Sequence, residues 1–448
     1  MDVFSQKNLL KVYQELKLGK LNTGLDRLSR KNFDKSIDDS INIIKRKITD
    51  STYEFTPYKE ILLLKGKDKL PRVISIPTIR DKIVLKILGI ELKKIWGISS
   101  NLQETIESIS EQIKSNKYKY FLKMDVSGYY SSIPHDLLIN ALSLKIRDAN
   151  VLELIIKAVK TQTYSTTSTK NDRETSDITK GIPQGISISN GLGYAYLKEF
   201  DTLHKRKRKY KYFRYVDDIL VLCENETEGA KIQNIIEKEL QTKYILSLGD
   251  GKEEKGLIDN GISFLGYKFN SDGRIEISKK NISRLEVNIE TLFHEFINSS
   301  DKRIRGNTEL IKWKIDLKIC GIIKNKKTYG WVYYFRRNEN TALMHRLDDF
   351  ILKMIARFHL EKSLLTSDGK YKGKKFVNMF YEIKNKGKLS DKITNVDNYS
   401  TLQKREILKK VCKRNADTFT DVYVDIEFNK FIFKSIHEIE YDLQQQYM

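Results

Sequence analysis

Three aspartates carry the strongest chemical signal in the sequence. Asp125 closes an apolar stretch, Phe121-Leu122-Lys123-Met124-Asp125-Val126. Asp217 and Asp218 are adjacent in Phe213-Arg214-Tyr215-Val216-Asp217-Asp218, and Ile219-Leu220-Val221-Leu222 follows them. A carboxylate at the end of a buried strand is costly unless a partner or a metal accompanies it. Two adjacent carboxylates repel each other, and a divalent cation neutralises such a cluster. The chemistry this set suits is transfer of a phosphoryl group. One cation lowers the pKa of the attacking hydroxyl, and a pair of cations clamps the in-line transition state. Taken alone, an Asp-Asp pair is an ordinary solvated turn, so the assignment needs its surroundings.

Those surroundings are two strand-like segments and a glycine-rich loop. The spacing predicts a strand over 120–126 and a hairpin over 212–223 with its tip at Val216-Asp217-Asp218. The loop is Gly181-Ile182-Pro183-Gln184-Gly185-Ile186-Ser187-Ile188-Ser189-Asn190-Gly191. Its glycines let the backbone approach a ligand closely, and Gln184 stands at the turn. Read more plainly, the loop feeds a helix capped by Ser189 or Asn190. Upstream, residues 1–50 read as mostly helical. A hairpin is expected over 59–77, from Glu60-Ile61-Leu62-Leu63-Leu64 through a Lys/Gly/Asp turn to Arg72-Val73-Ile74-Ser75-Ile76. A helix is expected over 81–96, with Gly97 as its stop. Beyond 269 the pattern turns helical and basic, as in 284–297 and 341–359. That switch suggests a boundary near 270–280, with a softer break near 360–376 at a glycine-lysine loop.

Composition bounds the rest. The chain has 448 residues, enough for two or three domains. Lys and Arg number 81 against 59 Asp and Glu, a formal charge of +22. Such an excess favours a polyanionic partner, because neutralising phosphates releases condensed counterions. A lysine-rich surface from a biased genome explains the charge equally well. The three cysteines, Cys223, Cys320 and Cys412, form no metal-binding spacing, and they suit a reducing cytoplasm. The polar start has no signal-peptide core, and no apolar run reaches the length of a membrane span. A soluble cytoplasmic location, with no membrane partner, is the expectation.

In order and spacing, the Asp125 strand, the Gly-Ile-Pro-Gln-Gly loop, Phe-Arg-Tyr-Val-Asp-Asp and Phe264-Leu265-Gly266-Tyr267 resemble the palm of reverse transcriptases, over about 120–270. A weaker resemblance reaches upstream to Thr23-Gly24-Leu25-Asp26 and Arg72 to Asp81, similar to the fingers of group II intron and related bacterial enzymes. Tyr329-Gly330-Trp331-Val332-Tyr333-Tyr334-Phe335 is similar to a segment of the bacterial thumb. The resemblance implies an α+β right-hand polymerase with fingers, an antiparallel-sheet palm and a helical thumb. It implies an N-terminal region with fingers over 1–119, a palm over 120–272, a thumb over 273–362 and a C-terminal extension over 363–448. It implies RNA-directed DNA synthesis with two Mg2+ ions, for which Mn2+ would substitute. Asp125, Asp217 and Asp218 would bind the metals, with the Val126 carbonyl as a further ligand. Tyr130 would be the steric gate against a ribose 2′-hydroxyl, with Tyr129 more plainly a core aromatic. Arg72, Gln184 and Lys252 would bind the incoming nucleotide, with Lys67, Lys69 and Lys255 as weaker companions. Phe264, Leu265, Gly266 and Tyr267 would form the primer grip.

One departure from the family shapes the biological expectation. Group II enzymes follow Pro-Gln-Gly with Ser-Pro-Leu-Leu, whereas here Ser189 precedes Asn190-Gly191-Leu192-Gly193. The segments expected of a retron enzyme are absent, as is a Cys/His endonuclease cluster. The sequence looks more like the reverse transcriptases of phage-defence systems. The implied partners are an RNA template, in particular a dedicated structured non-coding RNA, a DNA product, deoxynucleoside triphosphates and a companion protein. Competing readings are an intron-encoded enzyme, untemplated or protein-primed synthesis, and a non-catalytic splicing cofactor. Retention of all three aspartates argues against the last, since a pure RNA binder gains nothing from clustered negative charge. Basic runs at His204-Lys205-Arg206-Lys207-Arg208-Lys209 and Lys324-Asn325-Lys326-Lys327 suit phosphate contacts, or solvated loops equally well.

Overall fold

Alternation along two neighbouring strands builds the sheet that carries the aspartates. In a computed structural model of the chain, Tyr120, Leu122, Met124 and Val126 point into the core, and so do Ile219, Val221 and Cys223. The residues between them therefore face the other side. The sheet has four strands in the order Lys211–Tyr215, Asp218–Cys223, Tyr120–Asp125, Glu254–Leu257, antiparallel throughout. Helices Ser189–Tyr196, Lys198–Lys205 and Glu226–Lys243 share the core of its inner face through Leu192, Phe200, Ile232 and Ile236. Ile219 is fully buried there, and truncating such a side chain to Ala costs about 2–5 kcal/mol. Gly229 lets the long helix approach closely. A Cβ at that position would stand 3.1 Å from the Tyr120 ring. The structure describes residues 3–17, 21–64, 71–98, 102–165, 178–249, 251, 253–387 and 390–444.

The upstream hairpin forms as its residues require. Strands Tyr58–Leu63 and Arg72–Ile76 pair antiparallel, and Thr163–Tyr164 joins Tyr58–Lys59 in parallel. The lysine-rich turn, with Lys67 and Lys69, lies outside the described residues. Helix Ile79–Trp96 follows, capped by the Thr78 side chain at its start and closed by Gly97 in the left-handed region, φ 57°. Asp81 is buried and accepts from the Tyr53 hydroxyl (2.7 Å), the Thr78 hydroxyl (2.7 Å) and the Thr56 amide (3.1 Å). Burial raises its carboxyl above the usual range, while those three donors oppose the shift.

By contact the chain divides into two units, Met1–Thr105 with Ser115–Ile258, and Ile106–Lys114 with Asp259–Met448. The division at Ile258 comes earlier than the helical pattern suggested. The physical reason is that strands Ile262–Phe264, Tyr267–Phe269 and Ile275–Ile277 form one antiparallel sheet just ahead of helix Lys279–Asn298. Packing also joins residues on either side of 362. Leu317 and Ile322 share a core with Val396, Leu408, Val424, Phe428 and Ile432, so the last 86 positions complete a core that begins in the preceding helices. A small sheet makes the same join, with Thr394–Asn395 parallel to Ile322–Lys324. In this unit Lys318 and Asp442 form a buried ion pair at 2.6 Å.

Candidate active site

Register brings two of the three aspartates together. Asp125 and Asp218 are direct cross-strand partners. Side chains so paired share a face with Cβ atoms about 4.5–5.5 Å apart. By the alternation above, that face is the one opposite the helices. The Val126 amide donates to the Asp217 carbonyl (3.0 Å), which ties the hairpin turn to the end of the neighbouring strand. The far side of that strand end is held too: Gly249 donates to the Asp125 carbonyl (2.8 Å), and Ser127 donates to the Ser247 carbonyl (2.9 Å). The donors offered here are hard oxygens, the kind that suits Mg2+ or Mn2+. Among the described residues no group of three or more His, Cys, Asp or Glu side chains converges to cation-binding distance. The structure thus sets the three carboxylates in register and in sequence next to one another without closing them into a cage.

The hairpin turn is strained. Val216 adopts φ +58°, and a β-branched residue is a genuine outlier there. Such a conformation costs about 1–3 kcal/mol and persists only where its surroundings impose it. The imposing group is Arg214, on the helix side of the same hairpin. Its guanidinium donates to the Val216 carbonyl and makes a forked pair with Asp201, 2.7 Å on each arm. The Tyr212 hydroxyl donates to the same carboxylate at 3.0 Å. The pair is almost fully buried, 4% and 6% exposed. Burial works against the Arg214 charge. The Asp201 carboxylate, with Tyr129 and Tyr212 nearby, outweighs it and holds the guanidinium protonated far above the ordinary range. The sequence shows Arg214 within the Phe213-to-Asp218 motif but carries no sign of this role. Asp201 lies on a separate helix, and no spacing rule links the two.

Around this turn the structure gathers most of the expected nucleotide contacts. Tyr129 and Tyr130 open a short helical turn after Gly128. The buried Tyr129 hydroxyl donates to the Gly193 carbonyl, and the Tyr130 hydroxyl donates to the Asn190 side chain at 2.8 Å. A Cβ on Gly193 would stand 3.1 Å from both rings, so the glycine makes room for the pair. Burial and then the Asp217 carboxylate push the Tyr130 hydroxyl well up, against Arg214 and Arg72. Tyr130 therefore lies within electrostatic reach of both the turn and Arg72. The glycine-rich loop is strapped on both sides. Ile182 donates to the Tyr130 carbonyl (2.7 Å), and Ser75 donates to the Gln184 carbonyl (2.7 Å). Gly185, φ +97°, passes so close to the hairpin that a Cβ would meet Ile74 at 2.7 Å. The cap expected at Ser189 or Asn190 does not form. Helix Ser189–Tyr196 starts from Ile188 without a side-chain cap. The Ser189 hydroxyl donates back to the Pro183 carbonyl (2.7 Å), and Asn190 serves Tyr130 instead.

Other expected residues stand apart from this cluster. Lys252 lies outside the described residues, as do Lys67 and Lys69. Lys255 pairs with Leu122 and so shares the helix side of the sheet, opposite Asp125. Phe264, Leu265, Gly266 and Tyr267 belong to the second unit. They form a hairpin whose turn, Leu265-Gly266, has φ +51° and +81°. The three side chains are buried, so the turn presents backbone rather than side chains. The Gly266 carbonyl accepts from Ser278 N–H and Asn281 Nδ2, each at 3.0 Å, and the Tyr267 hydroxyl donates to the Tyr334 carbonyl at 2.7 Å.

Residues 64–269 match the family model for reverse transcriptase (RNA-dependent DNA polymerase). That stretch contains the three aspartates, the glycine-rich loop and the Phe264-to-Tyr267 hairpin, and over it the chain is similar to the reverse transcriptase family. Within it, the chain is similar to bacterial members. It is 22% identical to Protein YkfC of Escherichia coli (strain K12) over 292 residues, 55% of this chain and 75% of that one. It is 27% identical to the group II intron-encoded protein LtrA of Lactococcus lactis subsp. cremoris over 182 residues, 37% of this chain and 28% of that one. The chain thus spans little more than a quarter of the intron protein's length. Among solved structures, an apo telomerase from Candida tropicalis aligns over 87% of this chain and 64% of its own, at 14% identity and a TM-score of 0.41. Among the described residues no helix is long and apolar enough to cross a membrane.

Proposed function

We propose that the chain extends a DNA primer on an RNA template at the face carrying Asp125, Asp217 and Asp218. The observation that carries this is the register of Asp125 with Asp218, closed by the Val126-to-Asp217 backbone bond. The three carboxylates and the Val126 carbonyl would hold two divalent cations, Mg2+ or Mn2+, which when bound activate the primer hydroxyl and neutralise the transferring phosphate. Arg72 donates charge-assisted hydrogen bonds to the incoming triphosphate. Gln184 and its glycine-rich turn press against the new base pair. Tyr130, held by Asn190, occupies the space a ribose 2′-hydroxyl needs. The backbone of Leu265-Gly266 would contact the primer strand. The test is primer extension on an RNA template with Mg2+, with and without chelator; deoxynucleotide incorporation that chelator abolishes supports the reading, and none in either condition refutes it.

The biological role we favour is defence of a bacterial cell against phage, carried out in the cytoplasm through DNA synthesis on a dedicated structured RNA, with a companion protein where one is encoded nearby. The departure at Asn190-Gly191-Leu192-Gly193 supports this, because Asn190 and Gly193 build the Tyr130 cradle in place of the intron pattern. The second reading, an intron-encoded enzyme, is favoured by the similarity to LtrA. Phage plaques on a host expressing the gene with its flanking DNA separate the two. Protection lost in an Asp217→Asn, Asp218→Asn variant supports defence by synthesis. No protection by the wild type against a broad panel moves the intron reading forward.

A further inference from the structure

The sheet has a second charged end. The Tyr120–Asp125 strand is about 17 Å long at 3.4 Å per residue, with Asp125 at one end and the basic run 205–209 beside the other. Lys205, Arg206, Lys207, Arg208 and Lys209 are consecutive and all exposed. The run leaves helix Lys198–Lys205 and enters strand Lys211–Tyr215. Lys117, also exposed, donates to the Arg208 carbonyl at 3.4 Å, and exposed Lys119 follows two residues on. Seven cations thus share one end of the sheet.

The run is fixed rather than loose. His204 and Tyr210 flank it, both buried, and their side chains hydrogen-bond to each other at 2.6 Å. The other ring nitrogen of His204 meets Glu239 at 3.1 Å. Among the described residues none of the five cations has an ion-pair partner. Of the acidic side chains nearby, Glu226 accepts from the Tyr120 hydroxyl, Glu228 pairs with Lys231, Glu239 takes Lys243 as well as His204, and Glu224 is exposed. A run that only stabilised its helix C-terminus would need one or two cations in the last turn. This one holds five, none within ion-pair distance of a carboxylate among the described residues, with Lys209 near enough to Glu228 to act on it.

We infer that this end of the sheet is a docking surface for the phosphate backbone of a double-stranded RNA stem, separate from the groove that holds primer and template. The inference rests on the reverse-transcriptase reading for its choice of RNA. A stem is favoured over a single strand because single-strand sites offer exposed aromatics for stacking. Here Tyr118, Tyr210 and Tyr212 are buried, and no aromatic ring of this cluster is exposed for stacking. Such a surface reads backbone shape, not base sequence. It would hold a structured RNA on the protein while another part of that RNA enters the active-site face.

The experiment uses the full chain and a blunt RNA hairpin that has no primer terminus to extend. Binding is measured across salt concentrations for wild type, for a neutral variant carrying Lys205→Gln, Arg206→Gln, Lys207→Gln, Arg208→Gln and Lys209→Gln, and for a charge-retaining variant carrying Arg206→Lys and Arg208→Lys. The neutral variant should bind at least about tenfold more weakly at roughly 0.15 M salt, with a log–log salt slope shallower by about 3–5. The charge-retaining variant should match wild type in both. Equal affinity and slope for the neutral variant overturns the inference, as does loss by the charge-retaining variant. Two further arms use a DNA hairpin of the same sequence and anionic phospholipid vesicles. Tighter wild-type binding to either than to the RNA overturns the assignment of the surface to RNA. Primer extension by wild type is run alongside. Its absence refutes the polymerase reading, whereas its presence with an unchanged hairpin slope refutes the docking surface alone.

Discussion

Two hairpin turns in this molecule reach positive φ by opposite routes. At Leu265-Gly266 both turn residues are left-handed, and glycine supplies the second position. Two-residue hairpins favour such turns because their twist matches that of the strands, and glycine is the residue that suits them. At Val216-Asp217 only the first turn residue has positive φ, and it is a valine. Nothing in that dipeptide favours the geometry. The Arg214 guanidinium, locked by Asp201, holds the Val216 carbonyl, while Val126 holds the Asp217 carbonyl. The first turn has a glycine of its own at one of its two positions, and Ser278 and Asn281 hold its carbonyl as well. The second is imposed by its neighbours, and it is the one that carries two of the aspartates.

The largest expected effect comes from removing the imposed support. Arg214→Leu leaves Asp201 buried without its cation, which should destabilise the first unit by about 3–5 kcal/mol in denaturant unfolding. Primer extension per folded molecule should fall about a hundredfold, as expected when reacting groups are misplaced by about an ångström. Arg214→Lys keeps the charge but loses the fork and should fall between that variant and wild type. Full activity in Arg214→Leu would mean that the turn holds itself.

Gly266→Ala tests the other route. Its Cβ would meet the Asn281 side chain at 2.6 Å at φ +81°, so a loss of about 1–2 kcal/mol is expected in the unfolding of the second unit. A smaller change follows from relieving the strained valine. Val216→Gly added to Arg214→Lys should recover about 1 kcal/mol, because the strain no longer needs a clamp. The double-mutant cycle reads this directly, and additivity would show that Arg214 and Val216 are uncoupled. The smallest effect concerns the tyrosine cradle. Asn190→Ala removes one hydrogen bond, worth about 0.5–1.5 kcal/mol. It should raise the ratio of ribonucleotide to deoxynucleotide incorporation by a few fold, less than Tyr130→Ala does. An unchanged ratio in both variants would place the gate elsewhere, with Tyr129 the first residue to examine.

The same contrast explains what the sequence disclosed. Period-two patterning and turn residues made the Asp125 strand, both hairpins and the Ile79–Trp96 helix readable, because each is specified by residues close in the chain. Gly97 ends that helix as its type requires. The Arg214–Asp201 support was not readable, since a buried pair between a strand and a helix leaves no periodic trace. Asn190 was noticed as a departure from the family, yet its local rule suggested a helix cap. A tyrosine sixty residues away claimed the side chain instead. The edge of the second unit left a faint trace for a related reason. The helical pattern beginning near 279 was visible, whereas the short strands from Ile262 to Ile277 that join the second unit are three residues each, too brief to show alternation.

The measurement closest to the central claim is deoxynucleotide incorporation by Asp217→Asn on a DNA-primed RNA template with Mg2+, with primer-template binding measured on the same preparation. If Asp217 holds a catalytic cation as proposed, its loss as a carboxylate should abolish incorporation and leave binding nearly intact. Incorporation at the wild-type rate would contradict the assignment of chemistry to this hairpin.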